Sequence, residues 1–94
     1  MTIGKRVVYS GRVQGVGFRY TTQHLAAGYT VAGHVRNLPN GDVELVAEGE
    51  ADEVERFLTA IAAKNEGEVG GVLAQDSRLT QVTGDDLAVF AEER

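Results

Sequence analysis

The stretch Gly11-Arg12-Val13-Gln14-Gly15-Val16-Gly17-Phe18-Arg19 decides how the rest of the chain is read. Three glycines sit between an apolar run, Val7-Val8-Tyr9, and a segment of helical pattern that begins at Phe18. Glycine accepts positive φ without strain, so such a turn can aim successive backbone N–H groups into one concavity. The start of a helix adds unpaired N–H groups and a partial positive charge. Arg19 adds a permanent cation whose planar fork of donors matches phosphate oxygens. These features describe a phosphate cradle. On spacing alone the same residues also describe a glycine-rich turn joining a strand to a helix, with Arg19 an ordinary surface arginine.

The cradle is not a common nucleotide signature. No Gly-x-x-x-x-Gly-Lys-Ser/Thr pattern is present, and the dinucleotide pattern begun at Gly15 and Gly17 meets Tyr20 where a third glycine should stand.

Outward from the loop, Val7 to Tyr9 reads as a first strand, and Phe18 to Ala27 as a helix stopped by Gly28. Val31 to Asn37 reads as a second strand. Leu38-Pro39-Asn40-Gly41 is a hairpin signal, followed by a third strand over Asp42 to Glu48 with Val43, Leu45 and Ala47 alternating. Val54, Phe57, Leu58 and Ile61 recur at helical spacing behind Asp52 and Glu53. Asn65 to Asp76, rich in Gly and Glu, reads as a loop, Arg78 to Val82 as a fourth strand and Leu87 to Ala91 as a short last one.

The order β-α-β-β-α-β predicts an α+β, ferredoxin-like sandwich, with two helices on one face of an antiparallel sheet and one domain over residues 1–94. The first β-α-β unit makes its two strands parallel. Their C-terminal ends then lie at one edge, so the glycine-rich loop and Asn37 converge.

Gly11-x-Val13-Gln14-Gly15-Val16-x-Phe18-Arg19, followed by Gly33-x-Val35-x-Asn37 and Gly41-x-Val43, resembles the acylphosphatase family. The likeness is strong over the first half of the chain and holds only in outline over the second. It implies a cofactor-free, metal-free enzyme that hydrolyses the carboxyl–phosphate anhydride of acyl phosphates. It also implies phosphate binding by the loop residues Gln14, Gly15, Val16, Gly17, Phe18 and Arg19, with the attacking water on Asn37. One departure is His34, where the family usually has an aromatic residue after the glycine. Strand alternation puts His34 on the sheet face away from the helices, as a partly exposed residue. The passage from the second helix to the fourth strand is also longer than the family's usual one.

The chemistry agrees with these roles. An acyl phosphate releases a carboxylate, whose conjugate acid has a pKa of about 4, so no general acid is required. A loose phosphoryl-transfer transition state asks for alignment and charge stabilisation. Asn37 is no base at neutral pH, but its amide can orient a water. Without the resemblance, Asn37 reads as a turn residue before Pro39. Gln14 reads as a brace for the loop, and Arg12 and Arg36 as solvated charges that widen a positive field. No residue is placed as a nucleophile with its base, which an activated anhydride does not need.

Composition narrows the setting. The chain has 94 residues and no cysteine, which removes disulfides and thiol chemistry. His24 and His34 form no ligand pair. No apolar run reaches membrane-span length and the N-terminus lacks a signal-peptide core, so a cytoplasmic protein is expected. A monomer is the accompanying expectation, which composition does not itself decide. Residues 1–40 carry five basic and no acidic residues, whereas residues 41–94 carry four basic and fourteen acidic ones. The loop half therefore presents a positive field suited to an anion. The net charge of −5 argues against nucleic acid as a partner. An RNA-binding sheet would also need paired aromatics, and the third strand has none while carrying three acids. The remaining alternative is a non-catalytic module of this fold that binds an anion or carbamoyl phosphate. Small acyl phosphates, carbamoyl phosphate among them, and inorganic phosphate are the expected ligands; no second motif assigns recognition of the acyl group.

Overall fold

The computed structural model describes residues 1–14, 16–76 and 87–90. Their elements run β1 (Thr2–Gly11), α1 (Val16–Ala26), β2 (Val31–Asn37), β3 (Val43–Glu50), α2 (Ala51–Lys64), β4 (Val69–Asp76) and β5 (Leu87–Phe90). The strands form one sheet in the order β4-β1-β3-β2-β5, with every neighbouring pair antiparallel. Both β1 and β2 run against the central β3, so they are parallel to each other.

Alternation along the strands sends Val7 and Tyr9 of β1, Val31 and Val35 of β2, and Val43, Leu45 and Ala47 of β3 into one core. Val54, Phe57 and Ile61 of α2 close over it, each fully buried. Full burial of each such side chain stabilises by about 1.5–3 kcal/mol, which fixes α2 on the sheet. Phe18, Thr22 and Ala26, four residues apart, form the buried stripe of α1. That helix ends when Ala27, Gly28 and Tyr29 donate instead to the carbonyls of His24, Leu25 and Ala26. At the end of α2, both the N–H and the side-chain amide of Asn65 donate to the Ile61 carbonyl, at 3.2 and 2.8 Å.

Two strands differ from the sequence reading. β1 extends well before Val7 because Thr2 to Arg6 pair with β3 from Glu50 to Val46. The fourth strand lies at Val69–Asp76, within the stretch that reads as a loop. Gly70 and Gly71 break its alternation, and Val72 and Leu73 are both more than half exposed, so no one-sided pattern marks it. Pairing with β1, from Ser10 opposite Gly71 to Lys5 opposite Asp76, holds it in the sheet. The segment Arg78 to Val82 lies outside the described residues, whereas Leu87–Phe90 pairs with β2 as the last strand.

Candidate active site

Strand register brings the two sequence motifs to one edge. Val43 of β3 is opposed by Tyr9 on one side and by Asn37 on the other. The ends of β1 and β2 are therefore level, and two strand spacings put their backbones about 9.5 Å apart. At Gly11 the register slips and φ reaches +113°. A Cβ there would lie 2.5 Å from the Glu68 carbonyl oxygen and the Gly70 nitrogen, so only glycine fits. The chain leaves the sheet at this bulge, and the Arg12 N–H donates to the Glu68 carbonyl at 2.8 Å.

The loop is fastened at three further points. Val13 is 1% exposed. Phe18 is buried against Tyr9, ring centroids 5.1 Å apart, which anchors the first turn of α1 over the end of β1. Gln14 spends its side-chain amide on the carbonyls of Leu38 and Asp42, at 2.6 and 2.9 Å. Those carbonyls belong to the hairpin after Asn37, which Leu38 N–H to Asp42 O and Gly41 N–H to Leu38 O close on itself. Gln14 thus ties the loop to the turn that carries Asn37. Its side chain has no donor left for an anion.

Helix α1 starts at Val16, so the N–H groups of Val16, Gly17 and Phe18 have no carbonyl four residues back within the helix. Such a terminus favours an anion. Gly17 is exposed, and a Cβ built on it meets nothing within 4 Å. Arg19 is half-buried on the same turn, with its Nε fully enclosed. Asn37 is half-buried at the last position of β2. Its Oδ1 is buried without a hydrogen-bond partner among the described residues, and a buried acceptor left empty costs about 1–3 kcal/mol unless something fills it. Gly15 lies outside the described residues.

The face of the sheet away from the helices holds a charged cluster that the sequence did not reveal. Glu44 of β3, only 6% exposed at its side chain, accepts from Arg6 Nε at 2.6 Å and from Arg36 Nε at 2.7 Å. Burial alone would raise the Glu44 pKa, but the two guanidiniums outweigh it and hold the carboxyl below its usual value. Arg36 is therefore a paired strand residue and not a solvated charge. His34 is on the expected face but is buried, 4% exposed, rather than partly exposed, with the Glu44 carboxylate beside it. Its Nε2 lies 3.5 Å from Glu44 Oε1, the outer limit of a hydrogen bond. Burial lowers the His34 pKa more than Glu44 raises it, so the ring is neutral at neutral pH. Burial likewise pushes the Tyr9 phenol above its ordinary range.

Fold and strand ends together define an α+β sandwich of the ferredoxin-like class, with the glycine-rich loop and the start of α1 at one edge. The acylphosphatase family model matches residues 5–85. An acylphosphatase of Methanospirillum hungatei is 48% identical over 67 residues, which is 69% of this chain and 74% of that one. The crystal structure of acylphosphatase from Bacillus subtilis superposes with a TM-score of 0.73 at 35% identity, over 86% of this chain and 90% of that one. An acylphosphatase structure from Coxiella burnetii gives 0.72 at 31% identity, over 87% of each chain. The chain belongs to the acylphosphatase family, a family of enzymes.

Proposed function

We propose that the chain hydrolyses acyl phosphates to a carboxylate and inorganic phosphate, with water attacking phosphorus directly. The phosphoryl group sits in the loop, held by the amides of Gly15 to Arg19 and by the Arg19 guanidinium, with the backbone of Gln14 beside them. Asn37 Oδ1 accepts a hydrogen bond from the attacking water and fixes it in line with the leaving oxygen. The water oxygen bonds to phosphorus as the bond from phosphorus to the carboxylate oxygen breaks. The proton passes to a phosphate oxygen, and the carboxylate leaves without needing an acid. Arg19 and the first-turn amides meet the charge on the equatorial oxygens, as an anion hole does.

The observation that carries this reading is the buried Asn37 Oδ1, which has no hydrogen-bond partner among the described residues. It stands on a strand end level with the one that feeds the loop, next to the hairpin that Gln14 ties to it. A turn residue would normally use that oxygen on its own backbone; among the described residues Asn37 does not. Gln14 acts through geometry, by holding the hairpin against the loop. The reading also has the chain working as a monomer on small dissolved anions in the cytoplasm. Of the five cations in the first forty residues, Lys5, Arg6 and Arg36 pair with carboxylates of the second half. The positive field at the loop reduces to Arg12 and Arg19, which still suits an anionic substrate. Among the described residues no helix is long and apolar enough to cross a membrane.

Hydrolysis of benzoyl phosphate in ¹⁸O-labelled water, with chelator present, tests the proposal. Rapid turnover with the label in phosphate is the expected result. Label in benzoate, or no turnover by a folded protein, would overturn it.

A further inference from the structure

A groove of about 400 Å³ runs beside the loop, bounded by Arg12, Gln14 and Gly17, by Thr21 of α1, and by Lys64 and Glu68. Its size falls in the ordinary range for small-molecule pockets, about 300–1,000 Å³. We propose that this groove receives the acyl group of the substrate, and that Arg12 and Lys64 select acyl groups bearing a second anionic group, a carboxylate or a phosphate. The proposal rests on the hydrolytic reading above and adds the class of substrate.

The strand order supplies the direction. In the sheet, β1 stands between β4 on one side and β3 and β2 on the other. The loop after β1 therefore has the Asn37 hairpin on one flank, where Gln14 is tied. On its other flank lie the end of α2 and the start of β4, which wall the groove. In-line displacement places attacking and leaving oxygens on opposite sides of phosphorus. With the water at Asn37, the acyl group departs away from the hairpin, toward the groove.

The lining then sets the chemistry. Arg12 is held at its backbone by the bond to Glu68, and Lys64 by its place as the last residue of a capped helix. Neither side chain has an ion-pair partner among the described residues. Two cations and one carboxylate, Glu68, leave the groove with one net positive charge. A neutral acyl chain gains nothing from that charge, whereas a terminal carboxylate does. All three side chains are exposed, so the discrimination is moderate and weakens with salt.

Succinyl phosphate and butanoyl phosphate, which share a four-carbon chain and differ in one terminal carboxylate, separate the possibilities. At low ionic strength the unmodified chain should show the higher kcat/KM on succinyl phosphate. Lys64→Gln and Arg12→Gln should each lower the succinyl-to-butanoyl ratio by about two- to five-fold, the size expected of an exposed charge pair. Glu68→Gln should raise it, and added salt should compress it. A ratio at or below one in the unmodified chain, or a ratio that neither cation substitution moves, would overturn the assignment of the groove while leaving hydrolysis intact. Hydrolysis of neither compound would instead overturn the hydrolytic reading, and this assignment with it.

Discussion

Replacing Glu44 with glutamine removes the charge that two arginines share and keeps the shape of the side chain. Removing one member of a fully buried ion pair costs about 3–5 kcal/mol, because the surviving charge stays without solvent. Here the Glu44 side chain is 6% exposed, but Arg6 and Arg36 are 33% and 32% exposed and reach water when released. That lowers the expected cost to about 2 kcal/mol. In a chain of this size it corresponds to a fall in Tm of about 8–16 °C. Urea unfolding at neutral pH measures the loss directly. The same cluster predicts an acid limb. Because the folded Glu44 pKa is depressed, its stabilisation is complete above the unfolded value of 4.5 and is lost as pH falls through the folded value. In Glu44→Gln that part of the limb should be missing. A variant within about 0.5 kcal/mol of the parent at neutral pH, the range of ordinary surface changes, would refute the reasoning. So would an unaltered acid limb.

His34 predicts a second, earlier window: its folded pKa is lowered, so stability declines as pH falls through the unfolded value of 6.5, and His34→Phe should flatten unfolding free energy across that range. Gln14→Ala removes two hydrogen bonds worth about 0.5–1.5 kcal/mol each. Its turnover of benzoyl phosphate should fall by more than that stability change accounts for, since the hairpin carrying Asn37 loses its tie to the loop. Gly33→Ala drives a Cβ into the Val46 carbonyl oxygen across the sheet. Circular dichroism melts should show a loss of about 3 kcal/mol or more, or no cooperative fold.

What the sequence made legible follows from how each element earns its place. β2 was readable to the residue, Val31 to Asn37, because its core face and the Pro-Asn-Gly turn behind it are written in side chains. α2 was readable because Val54, Phe57 and Ile61 repeat at helical spacing. β4 was not, since an edge strand exposed on both faces and held by main-chain pairing to β1 leaves no mark in side-chain pattern. The burial of His34 escaped for a related reason. Alternation tells which face a residue occupies, but not that Glu44, eight or more residues from either arginine, gathers both of them on that face. At the site, the loop and Asn37 were visible as motifs, and topology alone predicted their meeting. Gln14 as a clasp on two carbonyls was not visible, because backbone acceptors have no sequence signature.

The division of labour between Arg19 and Asn37 is the central claim, and parallel measurements of kcat and of inhibition by inorganic phosphate in Arg19→Ala and Asn37→Ala test it most directly. Arg19→Ala should weaken phosphate inhibition and turnover together, because one cation serves ground state and transition state alike. Asn37→Ala should lower kcat by about 10²–10³, the usual cost of losing one positioned group at the reacting centre, while phosphate still inhibits as in the parent chain. Equal loss of phosphate inhibition in the two variants, or full turnover without Asn37, would contradict the account.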